Sequence, residues 1–420
     1  MDNTSLSFNK YLPFALLYFC FNGVFLPLGV LWTQLLAPVF LIWLLPYPVL
    51  SKLKYFFALT IPLFIAHVIV GILDYTFYLK SWLLLLSTYI FCLALWQYLE
   101  NCHSLRYIFK KILIINAWMT VAALIFLRIP GLRRIFWYDN AMSLGHITFY
   151  RLQMMTYEPS FYCTTFAPIV IYYLLKGARK ELKYAWLYFA LALVPLFLSL
   201  SFGVILSITF SLGAIVVWDS RNIIFKKQNL KYFILGVTFI ALALGSMAIF
   251  WPNNLVFQRM VNVLGGRDLS FNGRTFDSFI LSRDIAEKTS LWFGAGLGQT
   301  KIYSLPLFAQ FYHYTKFTAK DVGIPNAIGD LFATLGLLTV ILKLILEVYF
   351  YFRTRVSSNY YRLALFLFIF IYQFTGSFIM NIAEYVVWIM AFYPGLFPEF
   401  NKKQKSGRLE SAVYSQSYAV

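Results

Sequence analysis

The sequence predicts an all-α polytopic membrane protein with about twelve transmembrane helices and one large external loop. Three observations carry that expectation. First, 60% of the 420 residues are hydrophobic and only 12% are charged, with a mean hydropathy of +0.70. A soluble domain keeps roughly a quarter of its residues charged, so a water-soluble globular fold is excluded. Second, apolar runs near the length of a hydrocarbon core recur along the chain. Third, the Lys and Arg residues of the short connections fall in alternate connections, the pattern that orients a polytopic chain.

The expected spans are Tyr11–Val30, Thr33–Leu50, Tyr55–Leu73, Trp82–Leu99, Ile112–Leu127 and Phe161–Leu175, then Tyr184–Ser201, Gly203–Trp218, Tyr232–Trp251, Leu331–Phe352, Leu363–Ile379 and Tyr385–Phe397. Tyr and Trp crowd their ends, where an amphipathic ring suits the interface. The first apolar run is too long for a signal-peptide core and no small-residue cleavage site follows it, so it is expected to stay as the first span. Cys20, Cys92, Cys102 and Cys163 are scattered within or beside spans, a spacing that suggests neither a disulfide framework nor a metal site; no metal ligand or cofactor is expected.

One set of connections carries Lys52, Lys54, Arg106, Lys110, Lys111, Lys176, Arg179, Lys180 and Lys183, and later Arg353, Arg355 and Arg362. The opposite short connections hold little beyond Lys80, which puts both termini on the cytoplasmic side. The organisation then reads as an N-terminal transmembrane bundle (1–127), a first external loop (128–160), a central bundle (161–251), a large external loop (252–330), C-terminal helices (331–398) and a cytoplasmic tail (399–420).

Both external loops are rich in Arg, whose planar fork binds phosphate oxygens in pairs. The first holds Arg128, Arg133, Arg134 and Arg151; the second holds Arg259, Arg267, Arg274 and Arg283. An anionic ligand on the external face is the inference, against the plain alternative of solvated surface charge. Arg151 is followed by Glu158-Pro159-Ser160 at the mouth of a span, where a carboxylate could be a general base or could compensate a helix N-terminus. Between Asn272, a plausible cap, and Lys288, residues Phe276, Phe279 and Ile280 suit one face of a helix. Arg283 shares that face. Gly294, Gly296 and Gly298 read as a tight turn where backbone closely approaches something else. Arg134 and Gly145 in one loop, and Arg283 and Gly294 in the other, share the same ten-residue gap. Inside the membrane, Lys343 and Glu347 are expected to pair near the cytoplasmic end of a span.

These residues carry a resemblance. Arg151 with Glu158-Pro159-Ser160, Ser199 to Gly203, Arg274, the Arg283 to Gly298 stretch, Asn326 and Leu335-Gly336 occur in an order similar to that of the O-antigen polymerase and ligase superfamily, which includes the Wzy-type polymerases. Two departures stand out. Pro325 replaces the His that ligases carry before this Asn, which favours polymerase over ligase, and Met154 stands where members often have Gly.

The resemblance implies a GT-C-like, metal-independent glycosyltransferase. Its donor would be a glycan on undecaprenyl pyrophosphate and its acceptor one lipid-linked repeat unit. Arg134, Arg151, Arg274, Arg283, Gly145, Gly294 and Asn326 would bind substrate and pyrophosphate. Glu158 and His313 would be the candidate bases, with His146 a distant third. A chain-length regulator and a flippase would be protein partners, membrane lipid the surroundings, and nucleic acid no partner. The rival readings are an O-antigen ligase and a lipid-linked oligosaccharide flippase or other transporter. The carrier reading lacks the repeated half-pattern typical of carriers.

Overall fold

The structure, a computed structural model, describes residues 11–24, 30–102, 104–139, 142–144, 147–218, 258, 261–263, 265–313 and 322–402. The expected span Tyr232–Trp251 and residues Gly145, His146 and Arg259 lie outside the described residues. What is described is helical, apart from one short antiparallel pairing of β1 (Met142–Leu144) with β2 (Ile147–Phe149) in the 128–160 connection. Among the described residues, four helices are long and apolar enough to cross a membrane: α4 (Pro48–Val70), α5 (Tyr75–Asn101), α6 (Arg106–Phe126) and, late in the chain, α14 (Ala327–Arg353). Their outward faces are apolar, with Leu59, Ile65 and Ile69 on α4, Trp118 and Ile125 on α6, and Leu338, Ile341 and Ile345 on α14 all exposed. A soluble monomer rarely shows so continuous an apolar exterior.

The first expected span is shorter than its apolar run. Helix α1 (Tyr11–Phe21) stops at Asn22-Gly23. Asn22 is buried and accepts a hydrogen bond from Thr33 at 2.5 Å, and a Cβ on Gly23 would lie 2.3 Å from Thr156 Cβ. The second expected span is likewise broken, into α2 (Trp32–Leu35) and α3 (Ala37–Leu44). A short α7 (Pro130–Phe136) follows α6.

At the centre stands α8 (Pro159–Ala178), buried along almost its whole length. Its Thr164 and Thr165 hydroxyls donate to the carbonyls of Ser160 and Phe161 at 2.9 and 2.8 Å, which satisfies polar groups that have no water to turn to. Around it pack α9 (Ala185–Leu198), α10 (Phe202–Trp218), α15 (Tyr360–Tyr372) and α16 (Ile382–Phe392). The large loop supplies α11 (Leu269–Arg274), α12 (Phe276–Lys288) and α13 (Thr300–Phe311).

The connections sort into two sets. In the basic set, Arg106 and Lys176 pair with Glu399 at 2.9 and 3.2 Å, and Asn359 bridges to Asn401. In the other set, Leu152 N donates to Leu198 O, Ala327 N to Gly376 O, and Gln299 Nε2 to Asp74 O. The expected cap at Asn272 is corrected. Asp268 caps α11, the helix breaks at Thr275, and Asn272 donates to Gly266 O instead.

Candidate active site

Stretches of chain far apart in sequence meet beside the start of α8. Glu158 occupies the N-cap position of that helix, extended in backbone, with Pro159 locking the first turn. Its side chain does not cap. Glu158 Oε1 instead accepts from Ser160 Oγ at 2.5 Å and pairs with Arg274 at 3.2 Å. Arg274 comes from the end of α11, 116 residues away in sequence. Both side chains are partly open, at 24% for Arg274 and 30% for Glu158, so the pair is held by protein yet reachable by a ligand. Burial, the largest single influence, lowers the Arg274 pKa, but Glu158, Tyr372 and Tyr138 together outweigh it and the balance is a raised value; the guanidinium stays charged. Tyr372, at the end of α15, lies within electrostatic reach of both partners and beside Ser160 and Thr164.

Arg151 enters from the first loop. Its Nε donates to Ser199 O at 3.1 Å, joining it to the Ser199–Gly203 turn between α9 and α10. The backbone around it is fixed by Tyr138 N donating to Arg151 O and Gln153 N to Phe136 O, both at 2.8 Å. Met154 sits here at φ +52° with its side chain 1% exposed. This is the conformation glycine adopts freely; the buried thioether holds the turn that Gly would make without packing.

Asn326 is buried and works in two directions. Its Oδ1 accepts from Gly329 N at 2.9 Å, capping α14. Its Nδ2 donates to the Arg274 carbonyl at 2.9 Å and to the Phe374 carbonyl. Asn326 is therefore a positioning residue for Arg274. Asn326→Ala is expected to lower stability by about 1–3 kcal/mol. Asn326→Asp, which keeps the cap but sets a buried carboxylate oxygen against two carbonyls, should melt no higher than Asn326→Ala, and thermal melting in detergent checks the order.

A cavity of about 430 Å³ adjoins these groups, lined by Gly23, Tyr138, Asp139, Gln153, Thr156 and Tyr157 among others. Thr156 of its lining donates to Glu158 O at 3.0 Å, so the cavity lies beside the Glu158 backbone. Aromatic faces beside amide, hydroxyl and carboxylate groups suit a sugar ring and its hydroxyls.

The other expected site residues stand elsewhere. Arg283 is 71% exposed and pairs with Glu287 at 2.6 Å, one turn along α12. It does share a face with Phe276, Phe279 and Ile280, but that face points outward, while Ser278, Leu281, Ser282 and Ile285 are buried. The reason is close helix packing. A Cβ on Gly329 would lie 2.8 Å from Ser282 Oγ, so small residues line the α12–α14 contact. Arg134 is exposed and pairs with Asp139 at 3.3 Å. His313 is exposed in a left-handed turn. Its neighbour Tyr312 keeps its proton, pushed up by burial and by Asp277, and donates to that carboxylate at 3.0 Å.

Gly294 does make the close approach its spacing predicts, to protein. Helix α14 is interrupted at Gly336 (φ +77°), and the 291–296 backbone is spliced into the gap. Ala295 and Gly296 N–H donate to the Ala333 and Thr334 carbonyls, both at 2.9 Å, and Leu337 N–H donates to Leu291 O at 2.9 Å. Tyr372, Tyr138 and the cavity were invisible to motif reading, because nothing in the local pattern marks those tyrosines apart from other interfacial ones.

No protein-family model matches the chain, and no curated protein matches it significantly.

Proposed function

We propose that this chain is a metal-independent glycosyltransferase that polymerises undecaprenyl-pyrophosphate-linked repeat units into a surface polysaccharide such as O-antigen. In this reading it crosses the bacterial inner membrane about twelve times in a GT-C-like arrangement, with both termini cytoplasmic and the site on the outer face. The observation that carries the reading is the 3.2 Å Arg274–Glu158 pair, assembled from distant segments beside a cavity of about 430 Å³ that suits a sugar.

The chemistry follows from that pair. An acceptor hydroxyl oxygen attacks the anomeric carbon of the donor while the bond from that carbon to the pyrophosphate oxygen breaks. The hydroxyl proton passes to Glu158, and the lipid pyrophosphate leaves. Charge developing on the leaving group needs fixed positive partners where it appears, a role for Arg274 with Arg151. An arriving pyrophosphate competes with Glu158 for the Arg274 guanidinium, which frees the carboxylate to accept a proton just when substrate is present.

Purified protein given lipid-linked repeat units, with and without EDTA, tests the reading. Polymer formation in EDTA is expected. Glu158→Gln keeps the shape and the Ser160 contact but removes the base, and is expected to slow turnover about 10²–10⁴-fold. Wild-type rates in that variant would remove Glu158 from the mechanism.

A further inference from the structure

The Lys343–Glu347 couple is part of a larger cluster buried between α14, α15 and α16. Lys343 Nζ bonds Glu347 Oε1 and Gln373 Oε1 and lies 3.3 Å from Glu384 Oε1. The other carboxylate oxygens are also engaged. Gln373 Nε2 donates to Glu347 Oε2 at 3.0 Å, and Ser377 Oγ lies 2.6 Å from Glu384 Oε2. The carboxylate side chains are 6% and 3% exposed. Rather than snorkelling to the cytoplasmic edge, the couple is held in the interior by a third charge, from α16.

One ammonium faces two carboxylates, a deficit of one positive charge. Among the described residues, the other titratable groups around Tyr385 supply none: Asp330 on α14, Tyr385 itself on α16 and Cys92 on α5. Lys301 on α13 acts on Asp330. An uncompensated charge in so dry a place is far costlier than a bound proton. A metal cation has no vacant position, because the ammonium already occupies the point between the three oxygens.

We propose that this cluster as a whole binds one exchangeable proton, and that its loss is transmitted to the Arg274–Glu158 pair. The step is loss of H⁺ to water from a carboxylic O–H; no other bond changes. The transmitting element is the 373–381 connection between α15 and α16. On the cluster side it contributes Gln373 and Ser377. On the other side its Phe374 carbonyl accepts from Asn326, the residue that holds the Arg274 backbone, and its Gly376 carbonyl accepts from Ala327 N–H at 3.0 Å. Asp330 accepts from Ile379 N–H at 3.0 Å. A second net charge beside Ser377 thus acts on a segment bonded directly to the site's support. This inference concerns the cluster and stands whether or not the chain polymerises glycans.

Full-length protein in lipid nanodiscs provides the test. Wild type should show an infrared carboxylic-acid C=O band at neutral pH that is lost in Glu384→Gln or Glu347→Gln. Stability falls with rising pH while the folded protein holds a proton that the unfolded chain has released. The wild-type melting midpoint should therefore drop by about 2 °C or more per pH unit over that window. Glu384→Gln, neutral in sum, should be flat in pH and melt no lower than wild type. Lys343→Met, which doubles the deficit, should melt lower at every pH. At alkaline pH, amide exchange in 373–381 should be slower in Glu384→Gln than in wild type. If Glu384→Gln destabilises as much as Lys343→Met, the cluster is a plain ion-pair network and the proposal fails. Equal exchange in 373–381 would overturn the transmission.

Discussion

Arg274→Ala is expected to cut polymer formation by about 10²–10³-fold, the usual cost of removing one fixed donor from a site of developing negative charge. The guanidinium is the better placed of the two site arginines to meet a leaving pyrophosphate, because it is partly open and already holds one carboxylate at 3.2 Å. Its removal also leaves Glu158 with Ser160 as its remaining hydrogen-bond donor of this group, so the carboxylate loses its orientation along with its counter-charge. Arg274→Lys keeps a charge but not the paired geometry, and should recover only part of the rate. Arg283→Ala is the matched control. The sequence pattern assigns both arginines to the site, yet Arg283 is exposed and tied to Glu287 on the outward face of α12, so its loss should change rates by no more than a few-fold. Product length on gels at matched protein levels checks all three. Long polymer from Arg274→Ala would remove the pair from the chemistry.

Gly294→Val is expected to prevent accumulation of folded protein. A Cβ at this position would stand 2.6 Å from the Thr334 carbonyl carbon and 2.7 Å from Gly336 N, both backbone atoms that cannot step aside. The residue also sits at φ +72°, a conformation β-branched residues avoid. Overpacking and strain of this kind cost about 2–6 kcal/mol together, a large share of what a fold of marginal stability can lose. Gly131→Ala, where an added Cβ meets nothing within 4 Å, should be tolerated. Size-exclusion profiles in detergent distinguish the two. A monodisperse Gly294→Val protein would mean the loop can leave the helix gap without penalty.

The helical character, with helices long and apolar enough to cross a membrane, was legible in composition and spacing, since apolar runs of that length with so few charges suit a hydrocarbon surrounding. Within the site, the Glu158-Pro159-Ser160 motif and Asn326 were legible because each sits at a helix start, where residue identity is tightly constrained. Arg274 was legible as chemistry but not as geometry, since its partner lies in a different loop. Which face of α12 packs inward was not legible. In a membrane-associated protein apolar side chains can face outward while Ser and Gly line the contact, so apolar periodicity finds a helix without saying which side is inside. The missing member of the buried cluster, Glu384, lies 41 positions beyond Lys343, and no local spacing rule joins them.

The splice at Gly336 has a consequence for biogenesis. The 291–296 segment leaves the ribosome before α14, so the upper part of that helix emerges into a template already made and completes its hydrogen bonding on another segment's backbone. Gly298 meanwhile abuts the Phe77 carbonyl of α5, where a Cβ would come within 2.5 Å. The final helices thus act as a keystone that locks an arch assembled earlier. A nascent chain arrested before residue 327 should leave the Ala295 and Gly296 amides open to deuterium, whereas the finished protein should shield them.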